Sequence, residues 1–234
     1  LRTSGYHHYL SRAWRHALPG AGMHDSLDGI AELLRGYDFV ALQEADAGSL
    51  RTRFTNQIEY LARRAGFPHY GLAVTRNLRP VARHCMGFLS RLRPAHSAEH
   101  VLPSRIPGRR ALSVDLGAEA GGLRILLAHL SLGRADQERQ LHFLGGLVRA
   151  PVPAVLMGDL NCESPRLLQH AGLQRSGLGQ PHQAPPTYPS WRPRLSLDHL
   201  LVTPGVHLHR IEALPFAGSD HLPLSAEISV TLPP

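Results

Sequence analysis

The chain has 234 residues, 43% hydrophobic and 18% charged, enough apolar material for a sizeable core, which excludes a wholly disordered chain. No apolar run approaches the roughly 20 residues of a membrane-spanning helix, and two cysteines, Cys85 and Cys162, are too few for a disulfide framework or a structural zinc site. The net charge is +7, all 25 basic residues are Arg, and the excess lies before Gly117, where 16 Arg face 9 acids; beyond it 9 Arg face 9 acids.

Leu1–Gly20 mixes Arg, His and Ser without an apolar centre, so no signal peptide is read there, and the cytoplasm is the default compartment. The chain starts at Leu rather than Met, which leaves a lost leader open. Leu27, Ile30, Ala31 and Leu34 repeat at helical spacing, with Asp25-Ser26 as cap candidates and Gly36 as a stop. Phe39–Gln43 is strand-like. Ile58, Leu61, Ala62 and Ala65 predict a second helix after Thr55, stopped by Gly66-Phe67-Pro68. Strands are then expected at Gly87–Arg91, Ala111–Leu116 and Leu123–His129, with a loop at Pro103–Arg110. A third helix is expected from about Ala135 to Arg149, followed by strands at Ala154–Gly158, Leu197–Thr203 and Leu222–Val230. Gly172–Pro193 reads as a Pro/Gly-rich loop. Several strands are apolar throughout, as strands covered on both faces are. Neither a repeat nor a separating linker is visible, so the expectation is one α/β domain over residues 1–234.

Polar residues follow the apolar strands. Phe39–Leu42 runs into Gln43-Glu44, Leu123–Leu127 leads to His129, Ala154–Met157 runs into Gly158-Asp159-Leu160-Asn161, and Leu214–Phe216 precedes Ser219-Asp220-His221. Groups just past the carboxyl ends of several strands converge on one crevice in α/β architectures. Three carboxylates (Glu44, Asp159, Asp220), one carboxamide (Asn161) and two imidazoles (His129, His221) would share it. Hard oxygen donors in that number favour Mg²⁺ or Mn²⁺ over zinc. With no serine or cysteine elbow, metal-assisted hydrolysis of phosphate esters is the natural chemistry.

Leu42-Gln43-Glu44, Ala128-His129-Leu130, Met157–Asn161, Leu197-Asp198-His199-Leu200 and Ser219-Asp220-His221 together resemble, in order, the motifs of the endonuclease/exonuclease/phosphatase superfamily. The resemblance runs from about Asp25 to Ile228. It implies a four-layer α-β-β-α sandwich of two mixed sheets. It also implies that Glu44 is the principal metal ligand, with Asp220 as a second. Asp159 would orient or activate the attacking water, and Asn161 would donate to a phosphate oxygen. His221 would be held by Asp198, and His129 would face it and protonate or stabilise phosphate oxygens. The family pattern opens with a strand ending in Asn, whereas Leu1–Gly22 contains no Asn. The expectation is therefore a chain truncated at its N-terminus and missing its first strand.

The implied function is a magnesium-dependent phosphodiesterase, a monomer without a transmembrane segment. Nuclease and phospholipid-headgroup hydrolase both stay open. The alternative is a catalytically inactive, anion-binding or scaffold relative lacking the Asn ligand. From Arg76 to Arg110 eight Arg face only Glu99, which suits nucleic acid or an anionic lipid headgroup surface, or reflects coding bias. Arg51 and Arg53 are phosphate-contact candidates or solvated loop residues, and Trp191-Arg192 borders the cleft or anchors a loop. Cys162 reads as a buried filler, and His7-His8, His207 and His209 as surface or loop residues rather than a zinc cluster.

Overall fold

The computed structural model describes residues 23–148, 151–179, 182–215 and 218–231. The expectation about the opening strand, and His7-His8, fall outside them. The chain divides into two compact units at Arg91/Leu92.

In the first unit, helix α1 (Met23–Leu34) is followed by strand β1 (Phe39–Asp46), helix α2 (Gln57–Ala65) and strands β2 (His69–Leu78) and β3 (Ala82–Ser90). The sheet has the order β1-β3-β2 and both pairings are antiparallel. Leu27, Ala31 and Leu34 of α1 and Ile58, Leu61, Ala62 and Ala65 of α2 bury against Val40, Cys85 and Leu89. Asp25 and Ser26 lie inside α1, which already includes Met23, so they do not cap it. α2 is capped by Asn56, whose side chain accepts from the Ile58 and Glu59 amides, and ends at Gly66 in the left-handed conformation, φ 75°. A Cβ on Gly87 would lie 2.6 Å from the Gly71 carbonyl and 3.0 Å from Ile58, so that site admits only glycine without a shift.

The second unit holds a five-stranded sheet of order β4-β5-β6-β7-β8. Its strands are β4 (Pro94–Val101), β5 (Arg110–Leu116), β6 (Arg124–Ala128), β7 (Ala154–Asp159) and β8 (Asp198–Val202). The β6–β7 pair is parallel and the other pairs are antiparallel, so this sheet is mixed. The parallel pair is joined by helix α3 (Arg134–Leu147), as a crossover requires. Short helices α4 (Ser164–Gln169) and α5 (Ala171–Ser176) follow β7, and strands β9 (Val206–Ala213) and β10 (Leu224–Val230) form a separate antiparallel ribbon. Leu141 and Leu144 of α3 pack with Leu126, Leu156, Leu167, Leu173 and Leu201 in one core. No described helix is long and apolar enough to cross a membrane.

Strands β2, β4 and β9 have no counterpart in the sequence reading. β4 (PAHSAEHV) is mostly exposed at a sheet edge. Its register comes from hydrogen bonds to β5 rather than from an apolar face, and such a strand looks like loop in sequence.

Candidate functional site

The parallel β6–β7 pair and the antiparallel β8 bring three chain positions to one sheet end. β6 runs out at Ala128 and β7 at Asp159, while Asp198 opens β8 as the cross-strand partner of Asp159. His129 follows β6 directly, and its Nε2 lies 3.4 Å from Asp159 Oδ2. The Leu130 amide donates to the Asp159 carbonyl at 3.0 Å, which fixes the exit of β6 beside that of β7. Asn161 sits in the left-handed region, φ 49°, with its amide donating to Asp159 Oδ1 at 2.9 Å. Its Nδ2 donates to the Leu130 carbonyl at 2.9 Å.

His221 arrives from the loop between β9 and β10. Its Nδ1 lies 2.7 Å from Asp198 Oδ2, and Thr187 Oγ1 donates to the same oxygen. The segment carrying His221 is clamped by residues 187–190. The Leu222 amide donates to the Thr187 carbonyl at 2.9 Å, and the Ser190 amide to the Asp220 carbonyl at 2.7 Å. The Tyr188 ring lies tilted on the His221 ring, centroids 4.8 Å apart. Asp220 itself is exposed.

The two imidazoles are driven apart electrostatically. Burial lowers the pKa of His221, but the hydrogen bond and charge of Asp198, with Asp159 and Asp220 adding, outweigh it and raise it to about 9. Burial, Arg109 and the charge on His221 push His129 down to about 3, against a smaller pull from Asp198. The His129–Asp159 contact is therefore one between a neutral imidazole and a carboxylate, not an ion pair, since a buried cation at His129 would meet the cost of desolvation. At neutral pH the site holds one cationic and one neutral imidazole, the arrangement that assigns distinct acid and base roles.

Two glutamines of α3 hold the loops in place. Gln140 accepts from the Ser131 amide at 2.9 Å, and Gln137 Nε2 donates to the carbonyls of Ser131 and Asn161, 2.8 Å each. Both are buried. Gln137 thus ties the loop after His129 to the turn of Asn161.

Glu44 belongs to the first unit. It sits at a bulge in β1, where the register against β3 shifts between Leu42 and Ala45, and has φ 56°. Its carboxylate is exposed and has no hydrogen bond or ion pair among the described residues. Just beyond, Asp46 is fully buried and organises the loop. It accepts from the Gly48 amide at 2.9 Å and Ser49 Oγ at 2.8 Å, and lies 3.1 Å from Arg51 Nη2. Arg51 is thereby a structural partner rather than a solvated residue. An unengaged carboxylate on a strained bulge suits a hard cation in its donor chemistry. Among the described residues, however, no three His, Cys, Asp or Glu side chains gather as a metal cluster.

Trp191 is two-thirds exposed. Burial raises the Cys162 thiol to about 11 and the Cys85 thiol to about 12, so both are inert fillers at neutral pH. His207 and His209 make cross-strand hydrogen bonds to Thr231 and Ser229 on the exposed ribbon. The Arg76–Arg110 stretch divides between the two units. Arg91 is structural, donating to the carbonyls of Tyr37, Gly66 and Arg35, and Arg110 pairs with Glu99. Thr187, Tyr188, Gln137, Gln140 and Asp46 were not anticipated as site-building residues. For Thr187 and Tyr188 the available signal was the Thr-Tyr-Pro-Ser turn; the others show none beyond burial.

Residues 12–221 match the model of the Endonuclease/Exonuclease/phosphatase family. No curated protein matches the sequence. Among solved structures, the endonuclease/exonuclease/phosphatase from Beutenbergia cavernae superposes with a TM-score of 0.72 at 21% identity, covering 93% of this chain and 69% of that one. The endonuclease/exonuclease/phosphatase family protein from Leptotrichia buccalis also gives 0.72, at 14% identity over 92% of this chain and 96% of its own. D. rerio TDP2, complexed with a single-strand DNA product, gives 0.65 at 16% identity over 90% and 94%. At these identities the structures establish a shared fold.

Proposed function

The chain belongs to the endonuclease/exonuclease/phosphatase family and is a hydrolase of phosphate esters, and from that premise we propose that it cleaves phosphodiesters with Mg²⁺ or Mn²⁺ as cofactor. The observation that carries this reading is the gathering of two imidazole–carboxylate pairs at one sheet end, His221 Nδ1 2.7 Å from Asp198 Oδ2 and His129 Nε2 3.4 Å from Asp159 Oδ2, with Asp159 and Asp198 cross-strand partners.

The residues divide the work as follows. Asp198 accepts the Nδ1 proton of His221, which fixes the ring and leaves the Nε2 proton for a phosphate oxygen or a leaving alkoxide. Thr187 donates to that carboxylate and holds it in place. Asp159, an acceptor, orients the attacking water and takes its proton. Asn161 uses one Nδ2 proton on the Leu130 carbonyl, and the second serves a phosphate oxygen. His129, neutral, contributes a hydrogen bond to developing phosphate charge without a like-charge conflict with His221. Glu44 would be the principal donor to the cation, which would supply Lewis-acid polarisation of the phosphate.

The cationic His221 suits protonation of the departing alkoxide. That a neighbour, TDP2, was captured with a single-strand DNA product supports a nucleic-acid diester; a phospholipid diester has the same reacting group. A monomer in the cytoplasm completes the reading. The competing reading, an inactive anion-binding relative, draws on the absence of a three-donor metal cluster among the described residues. Turnover of an activated phosphodiester by the full chain separates them. Hydrolysis that needs Mg²⁺ or Mn²⁺ and stops with chelator is expected; no turnover with either ion would favour the inactive relative.

A further inference from the structure

Four exposed apolar side chains of the first unit gather at one place. β2 and β3 meet in a tip at residues 78–82, and the loop after β1 is laced to it. The Leu50 amide donates to the Pro80 carbonyl at 2.9 Å and the Arg51 amide to the Val81 carbonyl at 3.3 Å. Gly48, Phe54, Arg79 and Pro80 line one shallow depression, which places Phe54 at the tip. Phe54 is 67% exposed, Val81 55%, and Leu50 and Leu78 46% each. Apolar side chains in such a group are uncommon on a surface that meets only water.

The platform is preorganised. Buried Asp46 anchors the loop through Gly48, Ser49, Thr52 and Arg51. Charge follows one sign: no Asp or Glu occurs between Ala47 and Ile58 or between Tyr60 and Ala98. Arg53, Arg76 and Arg79 are exposed and make no ion pair or side-chain hydrogen bond among the described residues.

We propose that this tip docks on an anionic lipid bilayer, Leu50, Phe54, Leu78 and Val81 entering the headgroup–acyl boundary while Arg53, Arg76 and Arg79 meet lipid phosphates. Apolar insertion and arginine attraction are the two signals that reversible surface binding combines. Nucleic acid fits less well, because aliphatic Leu and Val offer no ring for a base to stack on and only Phe54 does. The inference does not depend on the hydrolytic reading.

The test is cosedimentation of the full chain with vesicles of phosphatidylcholine alone and with phosphatidylserine added. Binding should require phosphatidylserine and weaken with salt. Arg76→Ser and Arg79→Ser should each weaken it about fivefold. The Leu78→Ser/Val81→Ser double variant should weaken it by about tenfold or more. These exposed positions should leave the thermal midpoint and turnover of a water-soluble phosphodiester unchanged, so failure of docking is distinguishable from failure of catalysis. No binding to phosphatidylserine vesicles, or binding indifferent to both sets of substitutions, would overturn the proposal. Single-stranded DNA binding lost with these substitutions, without vesicle binding, would overturn it too and assign the tip to nucleic acid.

Discussion

His221 and Thr187 meet on one oxygen, Oδ2 of Asp198, with the imidazole Nδ1 2.7 Å away and the buried Thr187 hydroxyl donating beside it. The pairing joins a loop otherwise without regular structure to the residue that carries the site's positive charge.

Thr187→Val removes the hydroxyl without changing shape. Turnover should fall about ten- to a hundredfold, the scale of outer partners that orient reactive groups, with KM little changed. Thr187→Ser, which restores the donor, should recover most of the rate. Equal turnover of the Val and Ser variants would show that the hydroxyl serves packing alone.

The two histidines give opposite pH signatures. The His221 pKa is raised in the folded chain, so its stabilising contribution is fully present below 6.5 and is lost as pH rises through about 9. The His129 pKa is depressed, so its contribution is present above 6.5 and is lost as pH falls toward about 3. Thermal midpoints across pH should therefore decline on both sides. Asp198→Asn should flatten the alkaline decline, because burial then lowers the His221 pKa against only the weaker pull of Asp159 and Asp220. NMR titration of His221 near its ordinary value in the wild-type chain would contradict this.

Much of this site is legible in sequence because an apolar strand that ends abruptly in a charged residue has few structural reasons to do so. His129 and Asp159 sit where that pattern places them, at the ends of β6 and β7, whereas Asp198, the first residue of β8, enters only through the family resemblance. What supports them is not legible. Thr187 and Tyr188 lie in a stretch that reads only as Pro/Gly-rich loop, and their partners, Asp198 and His221, are 11 residues and more away in sequence. Gln137 and Gln140 occupy the buried side of α3, where apolar residues are the expectation; their amides serve backbone groups of distant loops. In the arginine-rich stretch, sequence proximity does not reveal that Arg91 and Arg110 make internal pairings.

Glu44 holds a left-handed backbone, φ 56°, that costs a non-glycine residue about 1–2 kcal/mol. Glu44→Gly should therefore stabilise the fold by about 1 kcal/mol while abolishing turnover. Glu44→Gln should leave the thermal midpoint unchanged and raise the Mg²⁺ concentration needed for half-maximal activity. A melting curve and a metal titration on each variant check both. Wild-type metal dependence in Glu44→Gln would remove Glu44 from the metal assignment.

Gln137→Ala would strip buried donors from the carbonyls of Ser131 and Asn161 at once. A loss of about 1–3 kcal/mol per group left unsatisfied is the scale expected by denaturant unfolding. The turn carrying Asn161 should loosen, so turnover should fall as well. Unchanged stability would mean that water replaces the amide at no cost.

The account rests on His221 acting as the proton donor. Turnover of a phosphodiester by His221→Ala, at a metal concentration that saturates the wild-type chain, tests this most directly. The rate should fall by about two to four orders of magnitude, as for other positioned acid–base groups, with the fold intact by thermal melting. Turnover within a few-fold of wild type would contradict the assignment.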